Sequence, residues 1–137
     1  MDYLSGRDNN AGLQDNTNKT TKTVKKQESY LSKLEKTLLV CLDPDQQAMI
    51  CEKFLNPEIV AVLQDKDLMD CINAFFKNNL NISETSRNAF LHRNTLLYRI
   101  EKVHRETKLN IRNFDDAMAF KLLTIIYEKM NERLGKK

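Results

Sequence analysis

Residues 81–106 read Asn-Ile-Ser-Glu-Thr-Ser-Arg-Asn-Ala-Phe-Leu-His-Arg-Asn-Thr-Leu-Leu-Tyr-Arg-Ile-Glu-Lys-Val-His-Arg-Glu. Ser83 is placed to cap a short helix running to about Phe90. A break follows at Leu91-His92, and a longer helix is expected from about Arg93 to Lys108. Leu96, Ile100 and Val103 recur at i, i+4, i+7 and give that helix an inward stripe. Arg93, Asn94, Tyr98, Glu101, Lys102 and Arg105 fall among its outward positions. Two helices joined by a tight turn, the second basic and polar on its exposed side, describe a helix-turn-helix.

The residue types at the second helix suit a nucleic acid. His92, Arg93, Asn94 and Thr95 open it with donors and acceptors fit for base edges and phosphates. The free N–H groups and positive dipole end of the helix N-terminus add attraction for phosphate. Tyr98, Arg99 and Lys102 are expected to reach the backbone or the next base, and Ser83 and Thr85 to anchor phosphates from the first helix. Arg99 has an alternative structural role, pairing with an acid such as Glu84. For any single residue the bland alternative is a solvated surface side chain.

Working outward, Leu68, Cys71, Ile72, Phe75 and Phe76 complete the i, i+3, i+4, i+7, i+8 stripe of a helix capped by Asp65 and ended by Asn78-Asn79. Asn56-Pro57 and Asp43-Pro44 each read as a cap followed by a first-turn proline, and Gln46 is placed for a capping box with Asp43. The helix after Asp43 is expected to run to about Leu55 with Ala48, Cys51, Phe54 and Leu55 on one side; the next runs to about Leu63. Leu31, Leu34, Leu38 and Leu42 predict a further helix from Glu28. Residues 1–27 are polar and aperiodic, and too poor in apolar side chains to offset their ordering entropy, so a disordered tail is expected there. Beyond the central motif, Asn113 can cap a final helix. That helix has two stripes, Phe114, Met118, Leu122, Ile125 and Phe120, Leu123, Tyr127, Met130, Leu134. Two stripes exceed what one small core needs, so either the helix is deeply buried or one face meets another subunit.

Composition narrows the function classes. The chain has 137 residues with two Pro and three Gly, too few turn formers for an all-β protein. No apolar run reaches membrane-spanning length, and residues 1–20 lack a basic start followed by an apolar stretch. A cytoplasmic location without membrane association is therefore expected. Cys41, Cys51 and Cys71 are odd in number and show no metal-ligand spacing; all three fall on apolar faces, which favours core packing. There is no glycine-rich phosphate loop, nucleophile elbow or metal-ligand cluster. His92 and His104 fall on different sides of one helix, so no catalytic pair is expected. The reading has no catalytic residue, cofactor or metal, and the protein is not expected to be an enzyme. Charge is unevenly placed within the net +3: residues 28–71 carry nine acidic and four basic residues, and residues 72–112 carry three and eight. A concentrated positive segment attracts a polyanion through counterion release, although a solvated basic face would look the same.

The run His92-Arg93-Asn94-Thr95-Leu96 with Tyr98-Arg99-Ile100 makes the motif specific. With Asp67-Leu68-Met69, Ile72, Phe75 and Asn81-Ile82-Ser83-Glu84-Thr85, it resembles the C-terminal helix-turn-helix domain of the PucR and CdaR (sugar-diacid regulator) transcription factors, and more distantly the DNA-binding helices of the Fis family. The resemblance covers about Asp67 to Tyr127 and implies a bacterial domain whose second helix enters the major groove. Three positions depart from the family pattern. Ser86 stands where Ala is usual, Ala89 where a larger aliphatic is usual, and Leu97 where Arg is usual, which removes one expected DNA contact.

The expected architecture is all-α: a disordered tail (1–27), a helical extension that could dimerise (28–63) and a helix-turn-helix domain (64–134). The expected function is sequence-specific transcriptional regulation on double-stranded DNA, as a nucleoid-associated homodimer, with no small-molecule effector identifiable. The alternatives are a protein–protein interaction module with a degenerate helix-turn-helix, favoured by Leu97 on the exposed flank and by the acidic segment 28–71, and a Fis-like nucleoid protein of low specificity.

Overall fold

The computed structural model describes residues 27–135, and the tail expected over 1–27 falls almost wholly outside them. Among the described residues there are helices and no strands, as an all-α reading requires. In chain order they are α1 (Tyr30–Cys41), α2 (Pro44–Phe54), α3 (Pro57–Gln64), α4 (Lys66–Lys77), α5 (Ile82–Asn88), α6 (Arg93–Thr107) and α7 (Phe114–Gly135). The chain divides into two units, residues 1–36 and 37–137.

Of the first unit, the described part is the start of α1. The Ser29 hydroxyl accepts from the Ser32 N–H at 3.0 Å, as an N-cap does. Glu28 accepts from the Ser32 hydroxyl and pairs with Lys36. The Lys36 bond, then the Ser32 bond, hold the Glu28 carboxyl below its ordinary value.

The second unit is built on strong local signals. Asp43 and Gln46 form a reciprocal capping box at α2, with the Gln46 N–H donating to Asp43 at 2.8 Å and the Asp43 N–H to Gln46 at 3.0 Å. Asn56 accepts from the Ile59 N–H at 2.9 Å to open α3. Asp65 accepts from the Leu68 N–H at 3.1 Å to open α4. Asn113 accepts from the Asp116 N–H at 2.9 Å to open α7. At α5 the cap is Asn81, not Ser83: the Glu84 N–H donates to the Asn81 side chain at 2.8 Å, and Ser83 falls inside the first turn. This helix also ends two residues early, at Asn88, because Phe90 takes a left-handed backbone with φ 54°.

One apolar core joins α3 to α7. Ile59, Val62 and Leu63 of α3 pack with Leu68, Met69, Cys71, Ile72 and Phe75 of α4. Ile82 enters from α5, Leu96, Ile100 and Val103 from α6, and Ala117 and Phe120 from α7. Ile111, in the loop before α7, is also fully buried. Phe76 meets Phe120 edge-on, with ring centroids 6.2 Å apart. The stripe of α7 through Phe120, Leu123 and Tyr127 faces this core. Ile125 is buried too, whereas Phe114, Met118 and Leu122 remain exposed.

Two expectations about the earlier helices are corrected. Ala48 and Phe54 of α2 are exposed, so the anticipated face does not pack as a whole; Cys51 is half-buried against α7, its Sγ 3.3 Å from the Met130 sulfur, and Leu55 reaches the edge of the core. Cys41 is exposed and only Cys71 is fully buried, because α1 and α2 contribute no fully buried residue. Burial pushes the Cys51 and Cys71 thiols up; at Cys71 the neighbouring Arg99 guanidinium works against that shift.

Candidate nucleic-acid interface

The site begins with a sharp turn. α5 closes at Ala89, the Leu91 N–H donates to the Ser86 carbonyl at 3.0 Å, and Phe90 between them is 94% exposed. His92 then caps α6, its Nδ1 accepting from the Asn94 N–H at 3.1 Å.

Leu96, Ile100, Val103 and Thr107 are buried on one side of α6. They hold the opposite side outward by the helical period. Asn94, Tyr98, Glu101 and Arg105 follow one another at intervals of three or four residues and are all exposed. Arg93 is exposed beside them and reaches back to α5, its Nη1 donating to the Ser83 hydroxyl at 3.5 Å. Thr95 and Lys102 are half-buried on the flank of this face, and the Lys102 ammonium lies 3.9 Å from Glu106. Tyr98 is 62% exposed and carries the Arg105 guanidinium over its ring at 5.7 Å from the centroid.

The structure thus gathers Ser83, His92, Arg93, Asn94, Thr95, Tyr98 and Lys102 around the open end and outer face of α6. It does not bring Thr85 there. Thr85 is fully buried and its hydroxyl donates to the Asn81 carbonyl at 2.7 Å, so it has no route to a phosphate. Arg99 is half-buried and turned toward α4, with Nη1 donating to the Asp67 carbonyl at 3.5 Å; Glu84 pairs with Arg87 instead, at 3.0 Å. Leu97 is not on an exposed flank: it is half-buried and packed against the core. Arg105 was absent from the candidate contacts read in the sequence, yet its seven-residue spacing from Tyr98 already places it on the same face.

Comparison with known proteins gives this geometry its family. Residues 68–126 match the PucR C-terminal helix-turn-helix domain. That segment is a PucR-type helix-turn-helix. Within the PucR-type domain α5 and α6 are the two helices of the motif, and α4 and most of α7 are their support. The match covers under half of the chain.

Three known proteins are similar to part of the chain. The carbohydrate diacid regulator of Escherichia coli (strain K12) is 42% identical over 45 residues, which are 33% of this chain and 12% of that protein. The purine catabolism regulatory protein of Bacillus subtilis (strain 168) is 25% identical over 75 residues, 52% of this chain and 14% of that protein. A leucine-rich protein of Streptococcus dysgalactiae subsp. equisimilis is 28% identical over 74 residues, 54% of this chain and 23% of that protein. The chain therefore spans less than a quarter of the length of each relative it matches. No solved structure matches it significantly. Among the described residues no cluster of His, Cys, Asp or Glu could hold a metal ion, and no helix is long and apolar enough to cross a membrane.

Proposed function

We propose that this chain is a sequence-specific, DNA-binding transcriptional regulator without catalytic activity, and that α6 reads the major groove. The observation that carries this reading is the two-sided build of α6. Its inner side is locked into the core by Leu96, Ile100 and Val103, while its N-terminus and the line Asn94–Tyr98–Glu101–Arg105 stay open. A helix of 15 residues spans about 22 Å, longer than the groove is wide at about 12 Å. Such a helix can meet base edges with its first turns and backbone further along.

His92, Arg93, Asn94 and Thr95 address bases or adjacent phosphates, Tyr98 and Lys102 the backbone or the next base, and Ser83 a phosphate from α5. Arg105 joins them. Arg99 serves mainly to hold α6 to α4. The regulator works as a homodimer in the cytoplasm, bound at the nucleoid. The exposed line of Phe114, Met118 and Leu122 on α7 favours contact with a second chain.

The test is selection from a random duplex library, followed by fluorescence-anisotropy titration at two salt concentrations, with Arg93→Ala alongside wild type. One enriched motif, lost in the variant, is the expected result. Salt-sensitive binding without a motif would indicate a low-specificity nucleoid protein. No binding near physiological salt would sink the reading in favour of a protein-interaction module.

A further inference from the structure

The exposed face of α6 contains one feature that does not suit a polyanion. Glu101 sits in the middle of it, between Tyr98 and Arg105, and is exposed. Among the described residues it forms no ion pair. Its natural helical partner, Arg105 at i+4, lies over the Tyr98 ring instead. The adjacent Lys102 leans to Glu106. The carboxylate is thus kept open while the cations around it are engaged elsewhere.

Such a group is repelled by phosphate and gains only from a donor. In the major groove the donors are the exocyclic amino groups, and a glutamate pairs with the N4 amino group of cytosine. Glu101 lies seven residues beyond Asn94, about 10 Å along the helix axis, which is within the width of the groove. Resting on the reading of α6 as the helix that meets DNA, we infer that Glu101 is a specificity-determining residue that accepts a hydrogen bond from a cytosine amino group and rejects bases that offer only acceptors. Asn94 and Glu101 then read different base pairs, and Arg105 beyond them, stacked on Tyr98, meets the far backbone. The acid lowers affinity for DNA in general and raises discrimination at one position.

The full chain and its Glu101→Gln and Glu101→Ala variants are each put through selection from a random duplex library, with thermal unfolding checked for all three. One column of the wild-type motif should be cytosine. Glu101→Ala should flatten that column alone, with roughly tenfold loss of discrimination. Glu101→Gln should move it toward adenine, whose N6 and N7 match an amide. Both variants should bind random-sequence DNA about threefold more tightly at low salt, with the gain shrinking as salt rises. A wild-type motif that is unchanged in both variants overturns the assignment and leaves the DNA reading standing. Failure of wild type to select any motif overturns both.

Discussion

The Arg99 guanidinium donates to the Asp67 carbonyl oxygen at 3.5 Å, tying the middle of α6 to the first turn of α4 across 32 residues of sequence. Arg93, six residues earlier on the same helix, reaches back to Ser83. Two arginines of one short run therefore serve different ends. Arg99→Ala should lower stability by about 1 kcal/mol, read as a fall in the urea midpoint with an unchanged slope. Arg93→Ala should leave that midpoint within about 0.5 kcal/mol of wild type and instead weaken DNA binding. Equal stabilities for the two variants would show that the Asp67 contact contributes nothing.

Ser86 carries a second prediction. Its hydroxyl is buried inside α5 and has no hydrogen-bond partner. A buried hydroxyl without a partner loses its hydration and gains nothing in return. Ser86→Ala, which also restores the residue usual in the family, should stabilise the domain by about 1 kcal/mol. A lower melting temperature for this variant would mean that the hydroxyl makes a contact in solution.

The turn between α5 and α6 stores strain. Phe90 holds φ at 54° with its ring almost wholly in solvent, so the side chain has little packing to set against the left-handed backbone. An L-residue there costs about 1–2 kcal/mol, and glycine removes that cost at some expense in chain entropy. Phe90→Gly should therefore raise stability by about 1 kcal/mol in chemical denaturation. Destabilisation would mean that the ring packs against something.

The three thiols should react in the order of their exposure. Cys41 is open, Cys51 half-covered and Cys71 buried, so an aromatic disulfide reagent should modify Cys41 first and Cys71 only on unfolding. The sign with pH follows from burial. Cys71 is raised in the folded state, so its contribution to stability is intact below the ordinary thiol range and is lost as pH rises through the raised value. Cys71→Ala will be less stable at neutral pH because of the lost packing, but should show a smaller further loss in alkaline buffer. Parallel curves for the two proteins would contradict this.

Much of the fold was legible because its signals are local. Asp43, Asn56, Asp65 and Asn113 each cap the helix they precede in the sequence. The stripe Leu96, Ile100, Val103 is buried as its spacing requires. The misreadings have one kind of cause. Ser83 and Asn81 are both good caps two residues apart, and the choice fell to the residue after the Asn79-Leu80 turn, where φ is positive at both positions. Thr85 and Ser83 are equally polar as letters, but only Thr85 faces the core.

What the sequence determined by itself is where helices start, which side of α4 and α6 is apolar, and that α6 opens with polar and basic groups. Caps and periodicity act over a few residues, and no distant partner is needed to satisfy them. Tertiary structure decided the rest. It drew α3 into the core, turned Arg99 inward to Asp67, seated Leu97 against the core, and chose the Phe120 side of α7 over the Phe114 side. Each of those outcomes depends on which surface arrives from a remote part of the chain, and a helix with two apolar stripes does not encode which one will be covered.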